Sequence, residues 1–434
     1  MISGIARASH WRRRFPDRGR LRALAMLTCL ASPFTTAQPA PLESLLEAAG
    51  TLRDRATEAS ADSLYGDYQE QTRRWLAALL AGGEPRFQHW YSERRTFALA
   101  ADAADYPFPG TPARGADKSD SAHGAHGGPL IHFTHFNTAA YRYVRDSGLH
   151  KPSGLQAITA RRRALPAPPS DAMVALTGWW PLAADQATPM PLWDSHAALR
   201  PTGANGYLNW PRVALVAPDD SAVATDNHLV RQFAGRPISD PRVLPRDAFF
   251  RIRPSPAHLQ ALMADGQFRR ASTVALGRPM RRGDELALVA FHLLHFGLDE
   301  GLWLTYWWDA ESVAPRSGVS APRVTGTSTA VPEPWRHYRG NMTMSPVHPR
   351  EPDGSPNICF NPWFDAVFPD SGQGNGLKAN CLSCHLRAGI PAAGRIQVTR
   401  GRPDLDKEND PVIYTHLLWS LANPARFDAQ KRPR

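Results

Sequence analysis

Apolar side chains recur at helical spacing near the start of the chain and give way to short continuous runs in its middle. Leu42, Leu45, Leu46, Ala49 and Leu52 fall on one helix face, and Tyr65 to Leu80 repeats the spacing with Trp75 and Leu79. From Pro107 to Pro129 the chain holds Pro, Gly, Ala, Ser and Asp with almost no large apolar side chains, the composition of a flexible linker. His123 and His126 lie in that linker with no third ligand nearby and read as solvated residues. Beyond it, Ala172 to Trp180, Arg212 to Val216, Glu285 to Phe296 and Leu302 to Trp308 are apolar runs rich in β-branched and aromatic residues, bounded by Pro, Gly and Asp. They predict strands, the last two being neighbours joined by a turn over residues 297–301. Glu285 to Phe296 also fits a buried helix. Helical spacing would put His292 and His295 on adjacent faces, strand spacing on opposite ones. A C-terminal helix is expected over Val412 to Leu421.

The first residues change this picture. Residues 1–22 carry seven Arg and one Asp, residues 23–34 are mostly apolar, and Thr35, Thr36 and Ala37 offer small side chains for cleavage. This reads as a secretory signal peptide over 1–37, too short in its apolar stretch to span a bilayer comfortably. The run Arg12, Arg13, Arg14, Phe15 has the look of a twin-arginine signal, though a plain basic leader region is the preferred reading. A lipoprotein site at Cys29 is disfavoured by Thr28 before it. Removing the leader takes six of the ten net positive charges, leaving four. The high pI therefore gives no reason to expect a nucleic-acid partner. No later segment has eighteen uninterrupted apolar residues, so no transmembrane anchor is expected. The forty Pro argue against an all-helical protein, and no internal repeat is evident. The expected fold is α+β: a helical segment over 38–106, the linker over 107–129, a Trp-rich β core over 130–330, and an irregular, helix-containing region over 331–434.

The chemistry sits in that last region. Cys381 and Cys384 are the only close pair of cysteines, and His385 follows directly. This spacing reads as a c-type haem attachment site. Two thiols about one helical turn apart can add across the two vinyl groups of one porphyrin, and the adjacent imidazole can ligate the iron. A structural zinc site needs four closed ligands, and only Cys359 is left to complete an irregularly spaced Cys3His set. A thioredoxin-type redox pair should open a helix near the start of a βαβ unit, whereas this pair lies late, behind the Gly-rich residues 371–376. With Cys381 and Cys384 on haem and Cys29 gone with the leader, Cys359 reads as a buried thiol without a disulfide partner.

Three segments carry a resemblance. They are Ala172 to Pro181 with Pro191, Leu192, Trp193 and Asp194; Leu288 to Trp308, ending in Thr305, Tyr306, Trp307 and Trp308; and Cys359 to Phe364 followed by Asn380 to Ala388. Together they resemble the large, mostly uncharacterised single-haem cytochrome c family proteins of the bacterial periplasm, over residues from about 130 to 390. The resemblance implies a secreted protein with one haem c and no particular reaction. The helical segment before residue 107 lies outside it.

The pattern departs from small soluble cytochromes c, where attachment comes early and an axial Met follows. Here 49 residues follow His385 and none is Met. Met344 is the first expectation for the distal ligand, with Met342 beside it. His416 is the alternative, and His292, His295, His337 and His348 share the remainder with an open site. Trp363, Trp419 and Leu417 are expected to wall the haem or the core, and Arg387 or Arg395 to pair a propionate. Electron transfer to a redox partner protein is the expected function, on family analogy. A peroxidase-type enzyme would need an open distal position with an acid/base residue such as His292 or His295 over the iron. A ligand-binding or sensory role for the Trp-rich region is the third class. No hydrolase or phosphate-binding motif stands out.

Overall fold

A computed structural model of the chain describes residues 70, 73–81, 83–99, 130–160, 165–193, 208, 210–218, 232–238, 242–298, 301–310, 333–344, 359, 361–365, 380–386, 388–390 and 413–422. The leader over 1–37, the helical spacing of 42–69, the linker with His123 and His126, and His348, Arg387 and Arg395 lie outside these residues.

Along the chain the strands are β1 (Tyr91–Ser92), β2 (Ile131–Phe136), β3 (Met173–Leu182), β4 (Thr188–Leu192), β5 (Arg212–Val216), β6 (Gln232–Phe233), β7 (Arg236–Pro237), β8 (Arg242–Leu244), β9 (Arg251–Ile252), β10 (Glu285–His295), β11 (Leu302–Trp308), β12 (Tyr338–Thr343), β13 (Gly389–Ile390) and β14 (Ile413–Tyr414). A seven-stranded antiparallel sheet runs β1-β2-β3-β10-β11-β12, with β9 paired beside β10. β4, β5 and β8 form a smaller sheet, with β5 and β8 parallel. With its helices the protein is α+β. Among the described residues no helix is long and apolar enough to cross a membrane.

The central strand β10 is buried at every one of its 11 positions. Burial on both faces explains why its sequence is a continuous apolar run rather than an alternating one, and why spacing alone left helix and strand open. The predicted strands at Arg212 to Val216 and Leu302 to Trp308 have those same limits, and the predicted pairing of the last two strands is seen, His292 lying opposite Thr305. At the start of β10, Glu285 is buried yet accepts from Arg251 at 2.6 Å and Arg253 at 2.7 Å, with Arg246 at 3.3 Å. Desolvation raises its pKa, but the guanidinium hydrogen bonds and charges outweigh that and hold it below the usual carboxylate value.

The middle of the chain contains helices that the apolar runs did not announce: Thr138–Asp146, Pro152–Ala160, Pro256–Met263 and Gly266–Leu276. Two start at recognisable caps. Asn137 accepts from Ala140 N–H at 2.9 Å, and Ser255 accepts from His258 N–H at 3.2 Å with Pro256 in the first turn.

The expected helix over Val412 to Leu421 is corrected. Among the described residues 413–422, only Trp419–Ala422 is α-helical, while β14 pairs with β13. Between them His416 and Leu417 have φ of 47° and 70°, values incompatible with a right-handed helix. The β-branched and aromatic Ile413 and Tyr414 favour the strand.

The seven-stranded sheet separates two groups of side chains. Alternation along the paired strands puts His132, Leu176, His292, Leu294, Trp303, Thr305 and Thr343 on one face. His135, Phe291, His295, Leu304, Tyr306 and Met342 point to the other. The N-terminal elements cover this second face: Trp75, in the helix over 73–80, meets His295 with ring centroids 4.4 Å apart, and Phe87 meets Phe291 at 5.5 Å. The C-terminal segments cover the first.

Candidate haem-attachment site

Two buried asparagines dock the C-terminal segments on the sheet. Asn361 donates through Nδ2 to Thr305 Oγ1 at 2.8 Å and to the Tyr306 carbonyl at 2.9 Å, while its Oδ1 accepts from Trp363 N–H at 3.0 Å. The short helix Pro362–Asp365 thereby lies over β10 and β11. Asn380 donates to Thr343 Oγ1 at 2.8 Å, and its Oδ1 accepts from Leu382 N–H at 3.0 Å. Its side chain thus starts the helix Cys381–His385, the five residues of the attachment motif.

On this helix Cys381 is 9% exposed and packs in an apolar cluster with Leu382, Leu417, Leu418, Leu421, Val174, Leu294 and Trp303. Cys384 occupies the next turn of the same backbone, and its side chain lies outside the described residues. His385 Nδ1 is 2.8 Å from the Leu417 carbonyl. A carbonyl only accepts, so Nδ1 carries the proton and the lone pair resides on Nε2. A second bond of this kind is what orients an iron-ligating imidazole. The Leu417 carbonyl is aimed by the left-handed His416–Leu417 turn, itself pinned by Thr415 N–H to the Ala388 carbonyl at 2.7 Å and by Thr415 Oγ1 to the Leu418 carbonyl at 2.9 Å.

Facing this helix is a row of rings. Trp303 meets His385 at 4.0 Å between centroids and His292 at 5.2 Å; Phe364 meets His292 at 4.4 Å and His132 at 5.2 Å. His292 is 5% exposed, and neither ring nitrogen has a hydrogen-bond partner among the described residues. The same holds for His132 Nε2 and Trp303 Nε1. Burial, with smaller contributions from His385 and His132, pushes the pKa of His292 well below its ordinary value, so the ring is neutral. Burial lowers His132 to about 4. A neutral imidazole has one donor and one acceptor, and leaving each unmade in a buried place costs about 1–3 kcal/mol. Buried polar atoms without partners also occur away from this helix, on both nitrogens of His135 for one, so at His292 they count together with the ring contacts to Trp303 and Phe364.

The expected distal ligands are distributed unevenly. Met342 points to the sheet face opposite His292, and Met344, just past β12, packs with the larger core cluster rather than the one holding Cys381. His295 is also on the opposite face. His337, just before β12, is 2.9 Å from Glu333 Oε2, beyond the end of the strand away from the Thr343 anchor. His416 Nε2 lies 3.2 Å from the Leu165 carbonyl and is therefore a donor. Among the described candidates, only His292 shares a ring contact with Trp303, the ring that meets His385. Trp363 packs in the main core at an angle to Trp180 and edge-on to Trp210, at 5.6 and 5.1 Å, whereas Leu417 does wall the Cys381 cluster. The Trp419 side chain lies outside the described residues. Sequence reasoning missed Asn361, Asn380 and the Leu417 carbonyl.

The residues present fit a haem c: two cysteine positions one turn apart on one helix backbone, an imidazole with a fixed tautomer, apolar walls and a buried imidazole without partners close by. Among the described residues no group of three or more His, Cys, Asp or Glu side chains is arranged to hold a metal ion by itself. No family model, curated protein or solved structure matches the chain.

Proposed function

We propose that this is an exported c-type haem protein of the periplasm, carrying one electron at a time between redox partner proteins through a single haem bound by Cys381 and Cys384 and ligated by His385. The observation that carries the reading is the His385 imidazole, held through Nδ1 by the Leu417 carbonyl on the helix that bears both thiols. When bound, the haem would supply the Fe(III)/Fe(II) couple. The chain's own residues do the rest. Leu417 fixes the tautomer and direction of His385, and hydrogen bonding to Nδ1–H raises the basicity of Nε2. Leu382, Leu418, Leu421 and Trp303 keep water from the site, which favours the less charged redox state.

For the distal side, the geometry favours His292 over Met344. A neutral, buried imidazole without partners has a lone pair to offer, and Met344 packs elsewhere. The same orphaned nitrogens support a second reading: a His292 that does not ligate would be a distal acid/base, as a peroxidase-type enzyme requires.

The test is protein made together with a haem-maturation system. One haem per chain, surviving acid extraction, is expected, and Cys381→Ala with Cys384→Ala should abolish it. A mature chain without haem, or with stoichiometric zinc, overturns the reading. The expected spectrum is low-spin without the long-wavelength sulfur-to-iron band of Met/His haems, and His292→Ala should render it high-spin. That band, lost in Met344→Ala, would reinstate Met344. A high-spin spectrum in the unaltered protein, with fast cyanide or peroxide binding, would favour the enzyme.

A further inference from the structure

The thiol expected to stand apart does not. Cys359 Sγ lies 3.7 Å from Cys381 Sγ, the Cys381 thiol donates to the Cys359 carbonyl at 2.9 Å, and Cys381 N–H donates to the same carbonyl at 3.1 Å. Cys359 also bridges to Asn380 as an isolated β-bridge, so the two backbones run in register. Cys359 is 1% exposed and shares the apolar cluster of Cys381 and Leu382. A disulfide has sulfurs about 2.05 Å apart, so closure asks the two sulfurs to approach by roughly 1.7 Å.

We propose that Cys359 and Cys381 form a reversible disulfide that withholds Cys381 from haem attachment until it is reduced. This consequence rests on the haem reading; the disulfide itself does not. In the oxidising compartment to which the chain would be sent, the oxidant is a protein or small-molecule disulfide, RSSR. The Cys381 thiolate, the more exposed of the two, attacks one sulfur and expels RS⁻. The Cys359 thiolate then attacks Cys381 Sγ in the mixed disulfide and expels the second RS⁻. The two thiol protons leave on two RSH, the pair loses two electrons, and RSSR gains them. A dithiol reductant reverses the sequence. Thioether formation adds the S–H of Cys381 across a vinyl group, and the disulfide has no S–H to add. Cys359 therefore guards the first thiol of the motif, and reduction must precede attachment.

The experiment uses the exported protein made without haem maturation, alkylated in denaturant without reductant and digested with trypsin. Cleavage after Arg350, Lys378 and Arg387 separates Cys359 on peptide 351–378 from Cys381 and Cys384 on peptide 379–387. The expected product is the two peptides linked, lighter than their sum by two hydrogens, with Cys384 alkylated. The link should persist in Cys384→Ser and vanish in Cys359→Ser, whose far-ultraviolet spectrum shows whether it folds. A Cys381–Cys384 bond with Cys359 alkylated, or all three cysteines alkylated, overturns the proposal. In the second arm, haem is supplied with and without a thiol reductant. Without it, Cys359→Ser should attach several-fold more haem than the unaltered protein, and with it the two should match. Equal loading without reductant, despite the linked peptide, overturns the guarding role. A linked peptide with no haem in either protein overturns the haem reading and the guarding role with it, while the pair stands.

Discussion

Single imidazoles illustrate how much an environment, rather than a residue type, decides. His135 and His295 lie on the sheet face turned away from the attachment helix, both about 1% exposed. Burial lowers His135 to about 4 and His295 to about 3. Unfolded, each would take a proton below about 6.5. The native state refuses that proton, so their contribution is complete above about 6.5 and is lost as pH falls toward the folded values, by on the order of 1.4 kcal/mol per pH unit per group inside that window. Asp365 opposes them. Its desolvated carboxyl is pushed up to about 7, so the native state holds a proton that the unfolded state releases, and this contribution fades as pH rises from about 4 to 7. Denaturant midpoints measured between pH 7.5 and 5 should fall toward acid. His135→Phe should flatten that slope, and Asp365→Asn should steepen it. A pH-independent midpoint would show that these rings are not buried neutral.

At the scale of elements, β11 and its antiparallel pairing with the run before it could be read from sequence, whereas β10, buried on both faces, read equally as strand or buried helix. The helices Thr138–Asp146 and Pro256–Met263 were legible only in their caps, since their apolar faces are short. The attachment motif was legible because its chemistry is local. Its supports were not: Cys359 meets Cys381 across 22 residues, Leu417 meets His385 across 32, and Asn361 meets Thr305 across 56. No spacing rule spans such separations. The turn before β11 shows how an element reaches the site. Gly301 has φ of 74°, and a Cβ there would lie 2.6 Å from Leu417 Cδ1 and 3.2 Å from Leu294 Cδ1. Gly301→Ala should therefore cost about 1–3 kcal/mol from the left-handed backbone and repacking. If the proposed haem is bound, the substitution should also shift its reduction potential in a protein that still folds, because the Leu417 carbonyl holds His385. Calorimetry and a redox titration check the two effects separately. An unchanged potential would mean that Leu417 yields without moving its carbonyl.

On the scale of the whole molecule, the attachment region is built onto the sheet. β12, from the region after residue 331, is a strand of the main sheet, and the two asparagines tie the remaining described segments to β11 and β12 through side chains that water does not reach. Asn361 leaves no polar atom idle: both Nδ2 hydrogens and Oδ1 are used. Asn361→Ala would deprive Thr305 Oγ1 and the Tyr306 carbonyl of a donor and the Trp363 N–H of its acceptor, at about 1–3 kcal/mol for a buried group left unmade. With a shared core there is one cooperative unit, so the loss should appear in global unfolding rather than in a separate early melt of the attachment region. Two probes decide it: far-ultraviolet circular dichroism for the sheet, and alkylation of reduced Cys359, buried at 1% exposure, for the attachment region. In denaturant both should move to the same lower midpoint in Asn361→Ala. An alkylation transition that shifts alone, ahead of an unmoved circular dichroism curve, would show that the attachment region unfolds independently of the sheet that carries it.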